Sequence, residues 1–459
     1  MENKYEVVKA LLKEQLLSSA IKPGEKLPSI RAATELWSCS KNTAIRAYQE
    51  LEKEHLIYSV PKSGYYAVLR TSPSKQTAAD WIDFSSASPD ADVMPYKDFQ
   101  HCLNRAIELY EDHLFSYSDP QGFFTLRRAL EGHLANSQIF APPSQICVVS
   151  GAQQALHVLA SMPFPNGKAA VLVEQPSFQG MLRSLDLLGV TTLGIERTMD
   201  GIDLDELERH FRNNHIKFFY TVPRFHNPLG ASYTQEQKMR IAKLAEKYDV
   251  YIVEDDYLAD MDPDEKADPI YSYDQAGKVV YVKSFSKIML PGLRLASVVL
   301  PTSLMETFRL FKASSDSSTA ALSQAALELY LNCGMYDHHA SLVRDRYRLR
   351  MQQLAECSKH LLPPQIDFRI GVGGIFARMS IPEEIDLHDL ITSLYQQQVR
   401  VTSTEHNYLR TFRRENGLRI SIIQTDSAKI EKGIQIVANT IEGLLEQKHT
   451  SRLQVIDWI

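Results

Sequence analysis

The sequence predicts an α/β protein made of a small helical N-terminal domain, closed by a β-hairpin, and a much larger domain with a mostly parallel sheet. Residues 1–70 contain three helical segments followed by two short β-rich runs. From residue 81 to the end, short apolar runs alternate with helical segments, a pattern typical of a sheet covered by helices on both faces. The polar segment 71–80 between them predicts a linker.

Length and composition agree with this division. A chain of 459 residues is too long for one hydrophobic core, and 44% hydrophobic with 23% charged residues is typical of a globular protein. No apolar run approaches the roughly 18 residues of a membrane span, and the charged start does not resemble a signal peptide. Five scattered cysteines, none in C-x-x-C spacing, favour a cytoplasmic protein without disulfides or a metal site.

The first domain is read from its helix signals. Apolar residues at helical spacing predict a helix over 5–17, and "KPGEKLPS" ends it. Ser29 and Ser40 are expected to cap a second helix to about Leu36 and a third to about Glu54. The runs in "IYSVPKSGYYAV" predict a hairpin. Three helices and a hairpin indicate a winged helix-turn-helix.

Such a domain binds double-stranded DNA with the N-terminal end of its third helix in the major groove and its wing on the backbone or in the minor groove. Residues 1–70 carry a net charge of +3 against −9 for the remainder, which favours this domain as the one that meets DNA. A small helical domain with a solvated basic face is the alternative. The candidate DNA-binding residues are Arg31, Ser40, Lys41, Asn42, Thr43, Arg46 and Lys62.

The large domain is predicted from its apolar runs. Buried strands are expected at 169–174, 218–222, 250–254, 279–284 and 295–300. Helices are expected over 234–248 and, as one long helix, over about 319–361. A smaller α/β lobe should begin at about residue 365.

Lys287, in "VVYVKSFSKIMLPGLRLASVVL", follows one predicted strand and precedes another. A Schiff-base enzyme of the pyridoxal phosphate kind needs a lysine for the aldehyde, an acid at the pyridine nitrogen, an aromatic face and a phosphate cup. The chain contains each in order, although each motif alone is commonly structural. The residues are Ser150, Gly151, Ala152 and Gln153 at a helix start, Phe178, Asn227, Asp255, Tyr257, Ser284, Ser286, Lys287 and Arg294.

Two resemblances extend this interpretation. One segment of the first domain resembles the GntR-type winged helix: "PGEKLPSIRAATELWSCSKNTAIRAYQELEKEHLIYSVPKSGYYA". It has Lys41 where that family usually has Arg, and Ala44 where it usually has Val. The remainder resembles fold-type I aminotransferases, in the subgroup fused to such a head and known as the MocR family of regulators. The matching motifs are "YSDPQGFFTLRRAL", "SGAQQAL", "EQPSF", "HNPLG", "EDDY", "SFSKIMLPGLRLA", "GGIF" and "GLRISI".

The MocR resemblance implies a role for each residue. Lys287 would form the internal aldimine and Asp255 would pair with the ring nitrogen of pyridoxal 5'-phosphate. Tyr257 and Asn227 would bond the ring oxygen, and Phe178 would stack on the ring. Arg419 would take an amino-acid carboxylate, and Tyr117 would reach the partner subunit's phosphate in a homodimer. The phosphate would be bound by Ser150, Ala152, Ser284 and Arg294.

Three departures from the family pattern concern the ligand space. Phe178 stands where tyrosine is frequent, Ala87 replaces a glycine often found beside the substrate, and "EDDYLAD" lacks the usual acidic Ser-Glu continuation. The resemblance therefore implies the cofactor and leaves the small-molecule ligand open.

Three functions remain in competition. The first is a transcriptional regulator that senses an amine, an amino acid or the cofactor itself through Lys287. The second is a working aminotransferase with an accessory DNA-binding head. The third is a DNA-binding protein whose large domain only dimerises, which predicts loss of the cofactor residues, whereas the set is intact in this sequence.

Overall fold

A computed structural model of the chain describes residues 3–18, 20–68, 81–264, 267–371 and 373–456, with side chains up to residue 447. The fold divides into two compact units, Met1–Ala79 and Asp80–Ile459, which we call the head and the body. The predicted linker 71–80 lies outside the described residues.

The head contains the three helices and the hairpin that its sequence predicts. Its elements are α1 (Lys4–Leu17), α2 (Ile30–Leu36), α3 (Lys41–Lys53), β1 (Ile57–Val60) and β2 (Gly64–Ala67). The hydroxyl of Ser29 accepts a hydrogen bond from the Ala32 N–H, and that of Ser40 accepts one from the Thr43 N–H, so both predicted caps are present. Tyr48 and Leu51 of α3 are fully buried in the head's core.

The body contains a seven-stranded mixed sheet in the order β4-β10-β9-β8-β7-β5-β6 and a smaller lobe. Its strands are β3 (Ile82–Asp83), β4 (Ile146–Val149), β5 (Ala170–Gln175), β6 (Thr192–Glu196), β7 (Ile216–Thr221), β8 (Tyr251–Asp255), β9 (Val279–Ser284), β10 (Ala296–Val299), β11 (Phe368–Arg369), β12 (Phe376–Ser380), β13 (Val399–Arg400), β14 (Thr402–Ser403) and β15 (Gly417–Ser421). Only β10 runs antiparallel to its neighbours in the large sheet. The mostly parallel sheet is confirmed.

Helices cover this sheet and the lobe. They are α4 (Tyr96–Tyr110), α5 (Phe124–Ala135), α6 (Ala152–Ser161), α7 (Gln179–Leu187), α8 (Leu204–Asn213), α9 (Gln235–Tyr248), α10 (Thr302–Asp316), α11 (Ala321–Asn332), α12 (Met335–Leu361), α13 (Leu387–Gln396) and α14 (Ser427–Ile456). Within the described residues, no helix is both long and apolar enough to span a bilayer.

One predicted element is wrong. The single helix expected over 319–361 is two helices, α11 and α12, separated at Gly334. Gly334 has φ +74°, a left-handed conformation that ends a helix and that glycine adopts without steric cost. The apolar pattern continues through the break because both helices pack on the same core.

The smaller lobe contains a four-stranded sheet in the order β11-β12-β15-β14. Its first strand begins at Phe368, close to the predicted start of the lobe. Strand β3, at the beginning of the body, pairs in parallel with β13, so the lobe is built from both ends of the body. This pairing brings residues that follow β3 to the carboxyl ends of the central strands.

Candidate functional site

The predicted cofactor residues lie where the central parallel strands end. Asp255 is the last residue of β8 and Ser284 the last of β9, while Phe178 and Asn227 follow β5 and β7. Lys287 lies three residues beyond the end of β9. Ligands in open α/β sheets bind at this carboxyl edge.

Lys287 has the environment of a reactive amine. Its Nζ donates a hydrogen bond to the carbonyl oxygen of Ala87, a residue that follows β3. Burial, together with the nearby charges of Arg419 and Arg294, lowers its pKa to about 8, and the Asp255 carboxylate opposes this shift. A lysine with this pKa is partly neutral near physiological pH and can act as a nucleophile.

Asp255 is a buried carboxylate with one free oxygen. Its Oδ2 accepts a hydrogen bond from the Tyr220 hydroxyl at 2.8 Å, and its Oδ1 has no partner among the described residues. Burial raises its pKa to about 7, although the Tyr220 hydrogen bond and Lys287 lower it. Such a carboxylate can accept a hydrogen bond from a protonated ring nitrogen.

Asn227 and Tyr257 follow β7 and β8 at the same edge of the sheet. The Oδ1 atom of Asn227 is buried without a partner among the described residues. The Tyr257 hydroxyl donates to the carbonyl oxygen of Phe225 at 2.8 Å, and burial raises its pKa well above the usual value. The Tyr257 proton is therefore engaged by the backbone, and its oxygen remains able to accept.

The start of α6 forms a small cradle with Arg294. Gly151 has φ +89°, and a Cβ there would lie 2.6 Å from Arg294 Nη2, so the site requires glycine. The first N–H groups of a helix have no partner within it and favour an anion. Ala152 and Gln153 are the first two residues of α6.

Several side chains near this cradle are already bonded. The Ser150 hydroxyl donates to Asp316 Oδ2 at 2.8 Å, and Gln153 Nε2 donates to the Gly180 carbonyl oxygen at 2.9 Å. The Ser286 N–H donates to Ser284 Oγ at 3.3 Å. Gln153 can therefore bind an anion through its backbone N–H, because its side-chain amide N–H is already bonded.

Arg419, on β15, extends from the smaller lobe toward Lys287. Its Nη2 donates to the Ser85 carbonyl oxygen at 2.6 Å, and its guanidinium lies 4.5 Å from the centre of the Phe376 ring. Nε is buried and has no partner within the described chain. Burial lowers its pKa, while Tyr257 and Asp83 oppose that shift.

Phe178 and Tyr117 differ in placement. Phe178 directly precedes α7. A Cβ on residue 180 would lie 2.5 Å from the Phe178 ring, so the glycine there makes room for the ring. The Tyr117 side chain is 97% exposed in the single chain. The fold of one chain therefore does not bring Tyr117 into the site.

Sequence reasoning missed two residues that bond site residues, and a buried carboxylate near the end of β5. Tyr220 bonds Asp255, Asp316 bonds Ser150, and Glu174 accepts hydrogen bonds from the Thr221 hydroxyl at 2.8 Å and the Val222 N–H at 2.9 Å. Glu174 stands in the quoted "EQPSF" motif, so the motif itself was a signal. Asp316 had none, because it ends a helix far along the chain.

In the head, α3 presents an exposed N-terminal end. Lys41 and Asn42 are exposed, and the Ser40 and Thr43 hydroxyls bond each other at 2.8 Å as part of the helix cap. Lys62 lies in the hairpin turn with φ +62°. These positions agree with a groove-reading helix and a basic wing tip.

The two remaining candidate arginines of the head have local partners. Arg31 is exposed on α2 and lies 3.5 Å from the Glu35 carboxylate. The guanidinium of Arg46 lies 4.0 Å from the centre of the Tyr5 ring. A surface ion pair of this kind contributes little stability and leaves Arg31 able to exchange it for a phosphate.

Comparison with known families assigns both parts of the chain. Residues 79–437 match the family described as aminotransferase class I and II, and residues 4–66 match the gntR family of bacterial regulatory proteins. The chain belongs to the aminotransferase class I and II family and has a GntR helix-turn-helix domain fused to its N-terminus.

Similar proteins support the same fused organisation. The chain is 43% identical to the uncharacterized HTH-type transcriptional regulator YcxD of Bacillus subtilis, over 95% of this chain and 99% of that protein. It is 28% identical to the regulator YdcR of Escherichia coli, over 89% and 94%. A solved kynurenine aminotransferase of Pyrococcus horikoshii is 26% identical, with a TM-score of 0.73 over 80% of this chain and 92% of that one. The protein is an HTH-type transcriptional regulator with an aminotransferase-like domain.

Proposed function

We propose that this regulator binds pyridoxal 5'-phosphate on Lys287 and uses the site to sense an amine or amino acid, with the cofactor level itself as the other candidate signal. The observation that carries the proposal is the pair formed by Lys287, whose pKa falls to about 8, and Asp255, whose Oδ1 lacks a partner. Both belong to the same buried edge of the sheet.

The residues present fit this cofactor. Asp255 Oδ1 and Asn227 Oδ1 are unpartnered, and the glycine at Gly151 keeps open a cradle with Arg294 that a Cβ would fill. Lys287 would hold the aldehyde, Asp255 the ring nitrogen, Phe178 the ring face, and α6 with Arg294 the phosphate. Bound there, the cofactor supplies an aldehyde that an incoming amine can capture.

Arg419 is the proposed contact for an effector carboxylate. Its planar guanidinium suits a carboxylate, and its buried Nε has no acceptor among the described residues. An effector that joins Arg419 of the smaller lobe to the site on the large sheet would favour one arrangement of the two parts of the body. That preference is the proposed signal to the head.

We further propose that the head binds DNA and that two bodies pair as a homodimer. We assign 1–70 to DNA binding, 71–80 to the linker and 81–459 to cofactor binding and dimerisation. A homodimer with two heads would recognise paired operator half-sites. Dimerisation is supported by four large apolar side chains that are exposed within residues 115–140: Phe115, Tyr117, Phe124 and Phe140.

The test is a titration of operator binding by wild type and Arg419→Ala, with and without cofactor and a panel of amino acids, followed by visible spectra. We expect wild type to be yellow and to change both colour and operator affinity with an effector. Arg419→Ala should stay yellow and lose both responses. Loss of cofactor binding in Arg419→Ala would contradict the role given to Arg419, and effector responses that survive in it would favour sensing of the cofactor itself.

A working aminotransferase is the second candidate, favoured by the similarity of the body to a kynurenine aminotransferase over 92% of that chain. The same lysine and arginine serve either function. Turnover assays with amine and keto-acid panels separate them, because a sensor exchanges ligand without accumulating keto product.

A further inference from the structure

Apart from the candidate cofactor site, the body contains a cavity of about 850 Å³ between the large sheet and the smaller lobe. One wall is formed by the segments that follow β5 and β6, at 175–176 and 196–199, and the other by Arg378 of β12 with Tyr408 and Phe412. None of the predicted cofactor or effector residues lines it.

The buried wall of this cavity offers hydrogen-bond donors. The Arg378 side chain is 10% exposed, and its Nε has no acceptor among the described residues. Its Nη1 donates to Ser380 Oγ at 3.2 Å. Its Nη2 donates to the Asn416 carbonyl oxygen at 3.4 Å and pairs with Glu415 Oε2 at 3.0 Å. A Cβ on Gly417 would lie 2.9 Å from Arg378 Nε, so glycine gives the guanidinium its space.

Tyr408 adds a second donor. Its side chain is 6% exposed, and its hydroxyl proton has no acceptor in the described part of the chain. Burial raises the pKa of Tyr408 to about 12, so the hydroxyl keeps its proton at neutral pH. A buried donor without an acceptor costs free energy that a bound acceptor recovers.

The acidic residues of the cavity lie at its mouth. Glu196 is exposed, and the other three are more than half exposed and lie within ion-pair distance of arginines. These pairs are Asp367–Arg369 at 3.8 Å, Glu383–Arg413 at 3.6 Å and Glu415–Arg378 at 3.0 Å. The acids and arginines that line the cavity are equal in number, so an anion at Arg378 competes with the Glu415 carboxylate. Glu415 is 55% exposed and water screens its charge, whereas the Arg378 side chain is 10% exposed.

Arg197 also borders the cavity, and its three guanidinium nitrogens are buried without a hydrogen-bond acceptor among the described residues. Its side chain is fully buried, with its guanidinium 3.6 Å from the centre of the Tyr233 ring and its Nε 3.8 Å from Glu174 Oε1. It balances the charge of the buried Glu174 carboxylate.

We propose that this cavity is a second ligand site, for a small molecule with a carboxylate or phosphate group, held by Arg378 with help from Tyr408. A ligand in it touches the edge of the large sheet and the smaller lobe together. The site requires neither the cofactor nor Lys287, so the proposal stands apart from the function proposed above.

The test is isothermal titration calorimetry of the full chain at low ionic strength, with succinate and inorganic phosphate as separate probes. We expect saturable binding of at least one probe, and the stronger of the two identifies the anion class. Arg378→Met should weaken that binding about tenfold to a hundredfold, the loss expected for a charge-assisted hydrogen bond. Arg413→Met is the matched control, since Arg413 is 85% exposed at the mouth, and should leave affinity within about twofold.

Two further arginine variants locate the binding. Arg294→Met and Arg419→Met remove the cations of the proposed cofactor site, where the same probes are also expected to bind. They should leave the binding that depends on Arg378 unchanged in affinity. Weakening in these variants with normal binding in Arg378→Met would overturn the proposal, as would the absence of saturable binding of both probes to wild type. Should Arg378→Met fail to fold, Tyr408→Phe decides, with weaker binding expected and unchanged binding contradicting the assignment.

Discussion

At the residue scale, burial moves the pKa of Lys287 and of Asp255 toward neutrality from opposite sides. Because only the neutral amine attacks an aldehyde, cofactor uptake by the cofactor-free protein should accelerate with pH around a midpoint near 8. Asp255→Asn removes a charge that raises this pKa and should lower the midpoint. Arg419→Met removes a charge that lowers it and should raise the midpoint.

The measurement is the rate at which bound-cofactor absorbance grows, from pH 6 to 10. A midpoint at the usual lysine pKa of 10.5 would mean that Lys287 is solvated and not buried. Borohydride reduction followed by peptide mapping identifies the modified lysine, and an adduct on another lysine would contradict the assignment.

Asp255 also predicts a cost to stability. Its folded pKa of about 7 exceeds the usual 3.8, so the unfolded chain loses this proton first and stability falls as pH rises between those values. Cofactor-free Asp255→Asn should therefore be more stable than wild type at pH 8, by up to about 4 kcal/mol at 1.36 kcal/mol per pKa unit. The difference should vanish near pH 4. Urea unfolding at both pH values checks it, with the exposed Asp112→Asn as a control without effect.

The sequence predicted these two residues because each stands in a motif whose chemistry is local. It did not predict the partners that set their pKa values. Ala87 lies 200 residues before Lys287 in the sequence, and Tyr220 stands on a different strand from Asp255. Contacts of this kind depend on the folded sheet and have no local signal.

At the element scale, α3 and the hairpin have separate tasks on DNA. Lys62→Gln should weaken binding to all sequences alike and reduce the salt dependence by about one unit of slope, because a turn cation contacts phosphate. Asn42→Ala should change the preference among operator variants, at about 1–3 kcal/mol for the base it reads. Binding measured at several salt concentrations against an operator library separates the two.

Lys53→Gln is the control for charge alone. Lys53 lies in the last turn of α3, paired with Glu50 at 2.8 Å, away from the end proposed to enter the groove. A loss with Lys53→Gln equal to that with Lys62→Gln would show that net charge, and not the wing, accounts for the effect.

Elements with their own end signals were the ones that the sequence predicted well. Ser29 and Ser40 both cap helices, and each of the five predicted strands is present in the large sheet. The edge strand β6 was missed because its "TLGIE" is mostly half-buried and lacks a clear apolar period. The break at Gly334 was missed because glycine's left-handed conformation leaves no trace in an apolar pattern.

At the scale of the whole molecule, pairing between distant segments was beyond sequence reasoning. Strand β3 pairs with β13 more than 300 residues later along the chain, yet each is two residues long. Strands this short carry no periodic signal, and only the packed lobe selects their register. The same holds for the cavity lined by Arg378 and Tyr408, whose walls come from six separate stretches of sequence.

The proposed dimer should depend on the exposed apolar residues around Tyr117. Phe115 is 76% exposed and lies two residues before Tyr117, which must reach a partner's phosphate if its proposed role is right. A charge at this position should therefore oppose pairing of two bodies, and Phe115→Asp should have the mass of a monomer by light scattering. The variant should also lose much of its operator affinity, because each head then binds its half-site alone and weakly. Leu187→Asp is the matched control, because Leu187 is 74% exposed at the end of α7 and should leave a dimer. Monomeric wild type, or dissociation by Leu187→Asp but not Phe115→Asp, would contradict this assignment of the interface.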